Sequence, residues 1–160
     1  MPQEIEIEFK NMLTKEQYES LLQYFHIQPE HISYQVNHYF DTEQWHLKQL
    51  MSGLRIRQIG DRFECTIKEK TTDNAHLETT DVITKELAEQ LLNGAPFQTE
   101  SVGKRLEALH IPIDQLKLFG SLVTNRVELT YKGGILVLDH STYMNQQDYE
   151  VEYEAVDETT

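Results

Sequence analysis

Glu4, Glu6, Glu8 and Lys10 alternate strictly with Ile5, Ile7 and Phe9 at the start of the chain. Side chains two apart share one face of a strand, so the charges fall on one side and the apolar groups on the other. Adjacent carboxylates repel one another, and such a face is either open to water or turned toward cations. Glu150, Glu152 and Glu154 repeat the pattern against Val151, Tyr153 and Ala155. Between them, short alternating runs carry Arg55 and Arg57, Lys68, and Arg126 with Glu128. Grouped carboxylates suit hard divalent cations such as Mg²⁺ or Mn²⁺. Guanidinium forks and ammonium groups suit phosphoryl oxygens. Together they describe a cavity with acid on some walls and base on others.

The elements that would position these groups are mostly strands. Residues 1–10 form the first. Thr14 caps a helix whose spacing runs through Leu13, Tyr18, Leu21, Leu22 and Phe25 and ends before Pro29. Residues 33–42 read as a strand with Asn37, Tyr39 and Asp41 on one face. Thr42–Leu50 reads as a short helix. Residues 54–60 and 62–70 form a hairpin about Gly60-Asp61. A turn near Asp73-Asn74 leads to a strand at 76–83. Thr84 caps a helix over Lys85–Leu92, and residues 101–110 give another, stopped by Pro112. Leu122–Tyr131 and Ile135–His140 flank a turn at Gly133-Gly134, and 149–156 is the last strand. Eight strands with short connections and three or four helices predict an α+β fold, mainly antiparallel β, closed as a barrel or packed as a sandwich.

At 160 residues, with 39% hydrophobic and 26% charged, the chain reads as one domain over 1–156 with a frayed tail at 157–160. A formal charge of −13 argues against a nucleic-acid polymer or an anionic membrane as partner. It leaves room for a small polyanion held by the 14 basic residues. No apolar run approaches membrane-span length, and no export signal opens the chain. The single cysteine, Cys65, excludes an internal disulfide framework and fits a cytoplasmic setting. The seven histidines show no metal spacing. No phosphate-binding loop or dinucleotide fingerprint is present.

Alternating Glu and Ile also fits a solvated face over an ordinary core. Several strands carrying mixed charge in one register favour the inverse arrangement. There the apolar faces pack under outer helices, and the charged faces line the lumen. Burying that many ions is costly unless metal, water or a charged ligand compensates them.

Glu6-Ile7-Glu8-Phe9-Lys10 resembles the Glu-x-Glu-x-Lys signature of the CYTH superfamily, the triphosphate tunnel metalloenzymes. The likeness continues in order along nearly the whole chain. Tyr39-Phe40-Asp41-Thr42, Leu54-Arg55-Ile56-Arg57, Thr66-Ile67-Lys68, Arg126, Leu138-Asp139 and Glu150-Val151-Glu152 each resemble a family strand. The run is most similar to the small stand-alone bacterial branch. The resemblance implies an eight-stranded tunnel barrel with a charged lumen and helices packed outside. It implies Mg²⁺ or Mn²⁺ held by Glu6, Glu8, Asp139, Glu150 and Glu152. It implies a triphosphate bound by Lys10, Arg55, Arg57, Lys68 and Arg126, with Lys10, Arg57 and Glu152 in catalysis. Glu4 and Glu154 extend the acidic rows outside the core motif. Lys70 and Lys132 join the basic set at its margin, Glu78 is a partner for lumen arginines, and Tyr39 fills the tunnel.

These expectations define a metal-dependent phosphohydrolase acting on inorganic triphosphate, thiamine triphosphate or a nucleoside triphosphate, as a monomer or homodimer. A class IV-type adenylate cyclase would use the same tunnel and release diphosphate. A module binding triphosphate or polyphosphate without turnover, or an acidic β-domain that binds proteins, are the non-enzymatic alternatives.

Overall fold

The computed structural model describes residues 3–72 and 74–155. The expected tail at 157–160, and Asp73 of the expected turn, lie outside the described residues. Twelve elements follow in chain order: β1 (Gln3–Leu13), α1 (Lys15–Tyr24), β2 (Ile32–Asp41), α2 (His46–Gln49), β3 (Ser52–Ile59), β4 (Arg62–Lys70), β5 (Ala75–Ile83), α3 (Lys85–Leu92), α4 (Glu100–Ala108), β6 (Lys117–Tyr131), β7 (Gly134–Tyr143) and β8 (Gln146–Ala155). Two 3-10 turns, Pro29–His31 and Ile113–Gln115, complete them. The strands hydrogen-bond in the order β1-β5-β4-β3-β2-β6-β7-β8 and close into a barrel. The expected eight-stranded antiparallel barrel with outer helices is therefore the fold. By compactness the chain divides into two units. One takes in the chain through Ile5 and Val36–Ser121; the other takes Glu6–Gln35 and the chain from Leu122 onward.

In the first unit, β3 and β4 pair with Ile56 opposite Cys65, and β4 and β5 with Ile67 opposite Thr79. One face of this sheet packs beneath α3 and α4. Leu54, Ile56, Phe63, Cys65 and Ile67 join Ala88, Leu91, Val102 and Leu106 in one buried cluster. Period two then sends Arg55, Arg57, Lys68, Glu78 and Thr80 to the opposite face. Two acids that stay on the helix side have structural work there. Glu69 takes a two-pronged bond from Arg105 of α4, at 2.8 and 2.7 Å. Asp81 accepts from the backbone N–H groups of Ser101 and Val102 at 2.9 and 2.8 Å. It thereby caps α4, where Thr99 makes no side-chain cap bond. This capping explains why α4 begins at Glu100.

The second unit repeats the logic with α1. Thr14 and Gln17 form a reciprocal capping box, as the sequence predicts for Thr14. Tyr18, Val127 and Leu138 make the buried centre, with Leu13, Leu21, Leu22, Leu129, Tyr149 and Val151 around it. The glycine turn sits one residue earlier than expected. Lys132 and Gly133 take the left-handed conformation, and Gly134 opens β7. A Cβ on Gly134 would lie 2.5 Å from the Tyr153 hydroxyl and the Glu154 carbonyl. The Tyr153 hydroxyl bonds the carbonyls of Tyr131 and Lys132, tying β8 to this turn.

Other boundaries moved for local reasons. Leu13 belongs to β1, not α1, and β6 starts at Lys117, five residues before the expected Leu122. The β7–β8 hairpin turns on Met144 and Asn145, both left-handed without glycine. The helix expected over Thr42–Leu50 is a single turn, α2. Asp41 caps it, accepting from the N–H groups of Thr42, Leu47 and Lys48 at 2.8, 3.0 and 3.1 Å. Trp45 and Met51 flank α2 with φ of 60° and 51°. Left-handed backbone at residues this bulky costs about 1–2 kcal/mol each. Ile5, expected under helices, is exposed instead.

Candidate functional site

In the second unit, strand register builds the charged face. β1 sets Glu8 opposite Glu154 and Lys10 opposite Glu152 on β8. β7 sets Asp139 opposite Glu150 on one side and opposite Arg126 of β6 on the other. Like charges directly opposite one another are destabilising by themselves. Two carboxylate trios result. Oxygens of Glu6, Glu8 and Glu154 lie within 4.8 Å of one another, as do those of Asp139, Glu150 and Glu152.

Two cations stand beside the second trio. Arg126 grips buried Asp139 through Nε and Nη2, at 2.9 and 2.8 Å. Lys10 Nζ lies 3.3 Å from Glu152 and 3.6 Å from Glu150. Burial opposes the charge on Lys10, but Glu152, Glu150 and Glu8 outweigh it and raise its pKa, so Lys10 is a firm cation. The pKa of Arg126 is likewise raised: burial works against its charge, and Asp139, Glu152 and Glu128 prevail. Burial raises the Glu150 pKa, with Glu152 and Asp139 adding to it and Lys10 opposing. Glu154 is the extreme case. Burial, then repulsion from Glu6, Glu152 and Glu128, push it up to about 7 against the partial relief given by Arg126.

An all-oxygen donor set of clustered carboxylates fits a hard divalent cation. The five metal ligands expected from sequence thus divide. Glu6 and Glu8 stand with Glu154, which the sequence placed outside the motif. Asp139, Glu150 and Glu152 stand with the cations Lys10 and Arg126. Glu154 was in view as the third member of an alternating row, but its position opposite Glu8 depends on β1–β8 pairing.

The first unit gathers the remaining cations. Arg55 and Lys68 line a cavity of about 170 Å³ with Tyr39, Met51, Gly53 and His76. Gly53 lies opposite Lys68, and Arg55 opposite Thr66. The Arg55 Nε is buried and hydrogen-bonds no other described residue. Such a donor is costly to leave unmet and suits an anionic acceptor. Arg57 donates through Nε to Asn37 at 2.6 Å, a contact the sequence reading did not foresee. Glu78, expected beside arginines, lies 3.8 Å from Lys68 instead. Lys70 ends β4 in an exposed position. Lys132 does not join the basic face: it sits in the turn with its ammonium 5.3 Å over the Tyr131 ring. Tyr39 lines the cavity wall, and its ring continues outward to Phe119, 6.4 Å away. Cys65 is fully buried on the helix side, and burial pushes its thiol up to about 12, which removes it as a nucleophile.

No helix among the described residues is long and apolar enough to cross a membrane. Comparison with known proteins gives a consistent lineage. The CYTH domain family profile matches residues 4–160. YjbK of Bacillus subtilis (strain 168), provisionally named a triphosphatase, is 42% identical over 157 residues, covering 98% of this chain and 80% of YjbK. A crystal structure from Bacillus halodurans, provisionally named an adenylate cyclase, superposes with a TM-score of 0.95 at 41% identity, covering 99% of this chain and 84% of that one. HpAC1 from Hippeastrum, described as an adenylyl cyclase with a dominant triphosphatase activity, shares the fold at 17% identity and a TM-score of 0.72, covering 96% of this chain and 80% of that one.

Proposed function

The chain belongs to the CYTH domain family, and from that premise we propose that it hydrolyses a small triphosphate with a divalent cation, Mg²⁺ or Mn²⁺. One observation carries the reading. The strands turn their apolar faces to the helices and their charged faces away, with carboxylate oxygens clustered within 4.8 Å. The name of YjbK, at 42% identity, supports the same activity.

Glu6, Glu8 and Glu154 are the better-fitting cation ligands. Glu154 is pushed up by burial and then by repulsion from Glu6, Glu152 and Glu128. Asp139, Glu150 and Glu152 form the second carboxylate group, with Asp139 already engaged by Arg126. When bound, the cation supplies charge neutralisation at phosphoryl oxygens. Arg55, Arg57 and Lys68 bind phosphoryl oxygens, Arg55 and Lys68 from the wall of the cavity they share. Lys10, held protonated by Glu152 and Glu150, stabilises charge on the transferring group. Arg126 assists through Nη1, which takes no part in its two bonds to Asp139 and lies 3.9 Å from Glu128. Glu152 accepts a hydrogen bond from the attacking water and orients it. The water oxygen bonds to the terminal phosphorus, and the bond from that phosphorus to the bridging oxygen breaks. Phosphate and the shortened diphosphate leave, and the water proton passes through Glu152 to solvent. Residues 1–156 act as one CYTH-like domain. The single, buried cysteine suits a cytoplasmic setting.

The test is phosphate and diphosphate release from inorganic triphosphate, thiamine triphosphate and ATP, with Mg²⁺, Mn²⁺ or EDTA. Metal-dependent phosphate release establishes the hydrolase. The 41%-identical relative named as a cyclase supports a second reading. Diphosphate and a cyclic nucleotide from ATP would select it. No turnover with any of the three, under either metal, would reject the enzymatic reading.

A further inference from the structure

The cavity holding Arg55 and Lys68 does not end in polar surface. Tyr39 forms part of its wall, and the Tyr39 ring lies 6.4 Å from Phe119 at an interplanar angle of 37°. Phe119 meets Trp45 edge-on at 5.3 Å. Lys48 Nζ sits 5.7 Å from the Trp45 ring centre. Three aromatic rings thus run outward in contact from a cationic cavity. All belong to the first unit. Trp45 is 44% exposed and Phe119 56%, and Met51, on the cavity wall, is 67% exposed.

Exposed rings of this size are ordinary when scattered and informative when contiguous. This set is held in place deliberately. Asp41 spends its carboxylate on three backbone N–H groups of the α2 segment. The residues flanking α2, Trp45 and Met51, adopt left-handed backbone, which fixes where their side chains leave the segment.

We propose that this ring platform binds a flat heteroaromatic group joined to the triphosphate, so that the preferred substrate is a ring-bearing organic triphosphate rather than inorganic triphosphate. The proposal rests on the triphosphate reading of the Arg55–Lys68 cavity and extends it. Charge complementarity places the phosphoryl chain at the cations. The unbroken contact from Tyr39 to Phe119 to Trp45 leads from them to a surface on which a base can stack. An inorganic chain has nothing to offer that surface.

Trp45 is the chain's single tryptophan, so its fluorescence reads the platform directly. ATP and inorganic triphosphate are titrated separately into wild type and Phe119→Ala, with fluorescence and calorimetry in parallel and phosphate release measured on the same samples. The expected result is quenching of Trp45 by ATP and not by inorganic triphosphate. Phe119→Ala should weaken ATP about ten-fold, the size of one lost base stack, while inorganic triphosphate changes less than about two-fold. Equal effects on both ligands, or on neither, overturn the platform. So does a dimer that Phe119→Ala dissociates without changing ATP affinity, since the patch would then be a subunit contact. Absence of phosphate release with ATP-selective quenching intact would reject the hydrolase and keep the platform.

Discussion

The two units carry opposite charge on their helix-averted faces, and they handle it differently. In the second unit, most of the compensation is internal: Arg126 is spent on Asp139, and Lys10 on Glu150 and Glu152. The carboxylates of Glu6, Glu8 and Glu154 form a separate cluster, and burial, then repulsion from Glu6, Glu152 and Glu128, push Glu154 up to about 7. In the first unit, Arg57 bonds the Asn37 amide and Lys68 lies 3.8 Å from Glu78, while the Arg55 Nε is buried with no hydrogen-bond acceptor among the described residues. Carboxylates therefore cluster on one face and cations gather on the other.

The largest effect should follow from neutralising the acidic side. Glu8→Gln is expected to lower metal-dependent phosphate release by about 100-fold, with the domain still folded by circular dichroism. Full activity in the variant would remove the trio from the reaction. Arg57→Ala should weaken triphosphate binding by about 2 kcal/mol, because a charge-assisted contact is lost. Calorimetry with inorganic triphosphate measures it, and an unchanged Kd would take Arg57 out of the basic set. Glu69→Gln tests whether face, rather than charge, decides the role. Glu69 is a strand carboxylate like the others, but it lies under α4 against Arg105. Its replacement should cost about 1–2 kcal/mol of stability, measured by denaturant unfolding, because Arg105 loses its partner while staying partly solvated. Phosphate release should survive; a loss comparable to Glu8→Gln would break the distinction between faces.

The smallest effect concerns pH. Glu154 has a folded pKa near 7, above the ordinary carboxylate range of an unfolded chain, near 4.5. Between those values the folded state binds more protons, so stability falls as pH rises. The metal-free protein should therefore melt at a higher temperature at pH 6 than at pH 8. Glu154→Gln should flatten that slope, and adding Mg²⁺ at pH 8 should offset it. An identical slope in the variant would assign the titration elsewhere.

Much of this was readable from the chain. Period two gave the faces, since Glu6, Glu8, Lys10, Arg55, Arg57, Lys68 and Arg126 all leave the helix side as the alternation requires. Thr14 and Thr84 cap where expected, because capping is local. What stayed hidden was what pairing decides. Glu154 joins Glu6 and Glu8 only through the β1–β8 register. The Trp45–Phe119 contact joins residues that no local pattern relates. The Met144–Asn145 turn was invisible because neither residue is glycine, although both adopt the conformation glycine favours. Lys132 was misplaced by a one-residue shift of the neighbouring glycine turn, enough to move it from a strand face to a loop.

Both hydrophobic cores lie on the helix side of their strands. Folding therefore draws little from the charged faces; where carboxylates cluster there, it is opposed by them. Residues on those faces can change without opening a cavity in the core, and several neutral replacements would even relieve repulsion. In evolutionary terms, the charged faces are free to drift while the helix-covered side holds the fold. For an engineer the same division makes the charged faces the place to rewrite, with the helix-covered side left alone.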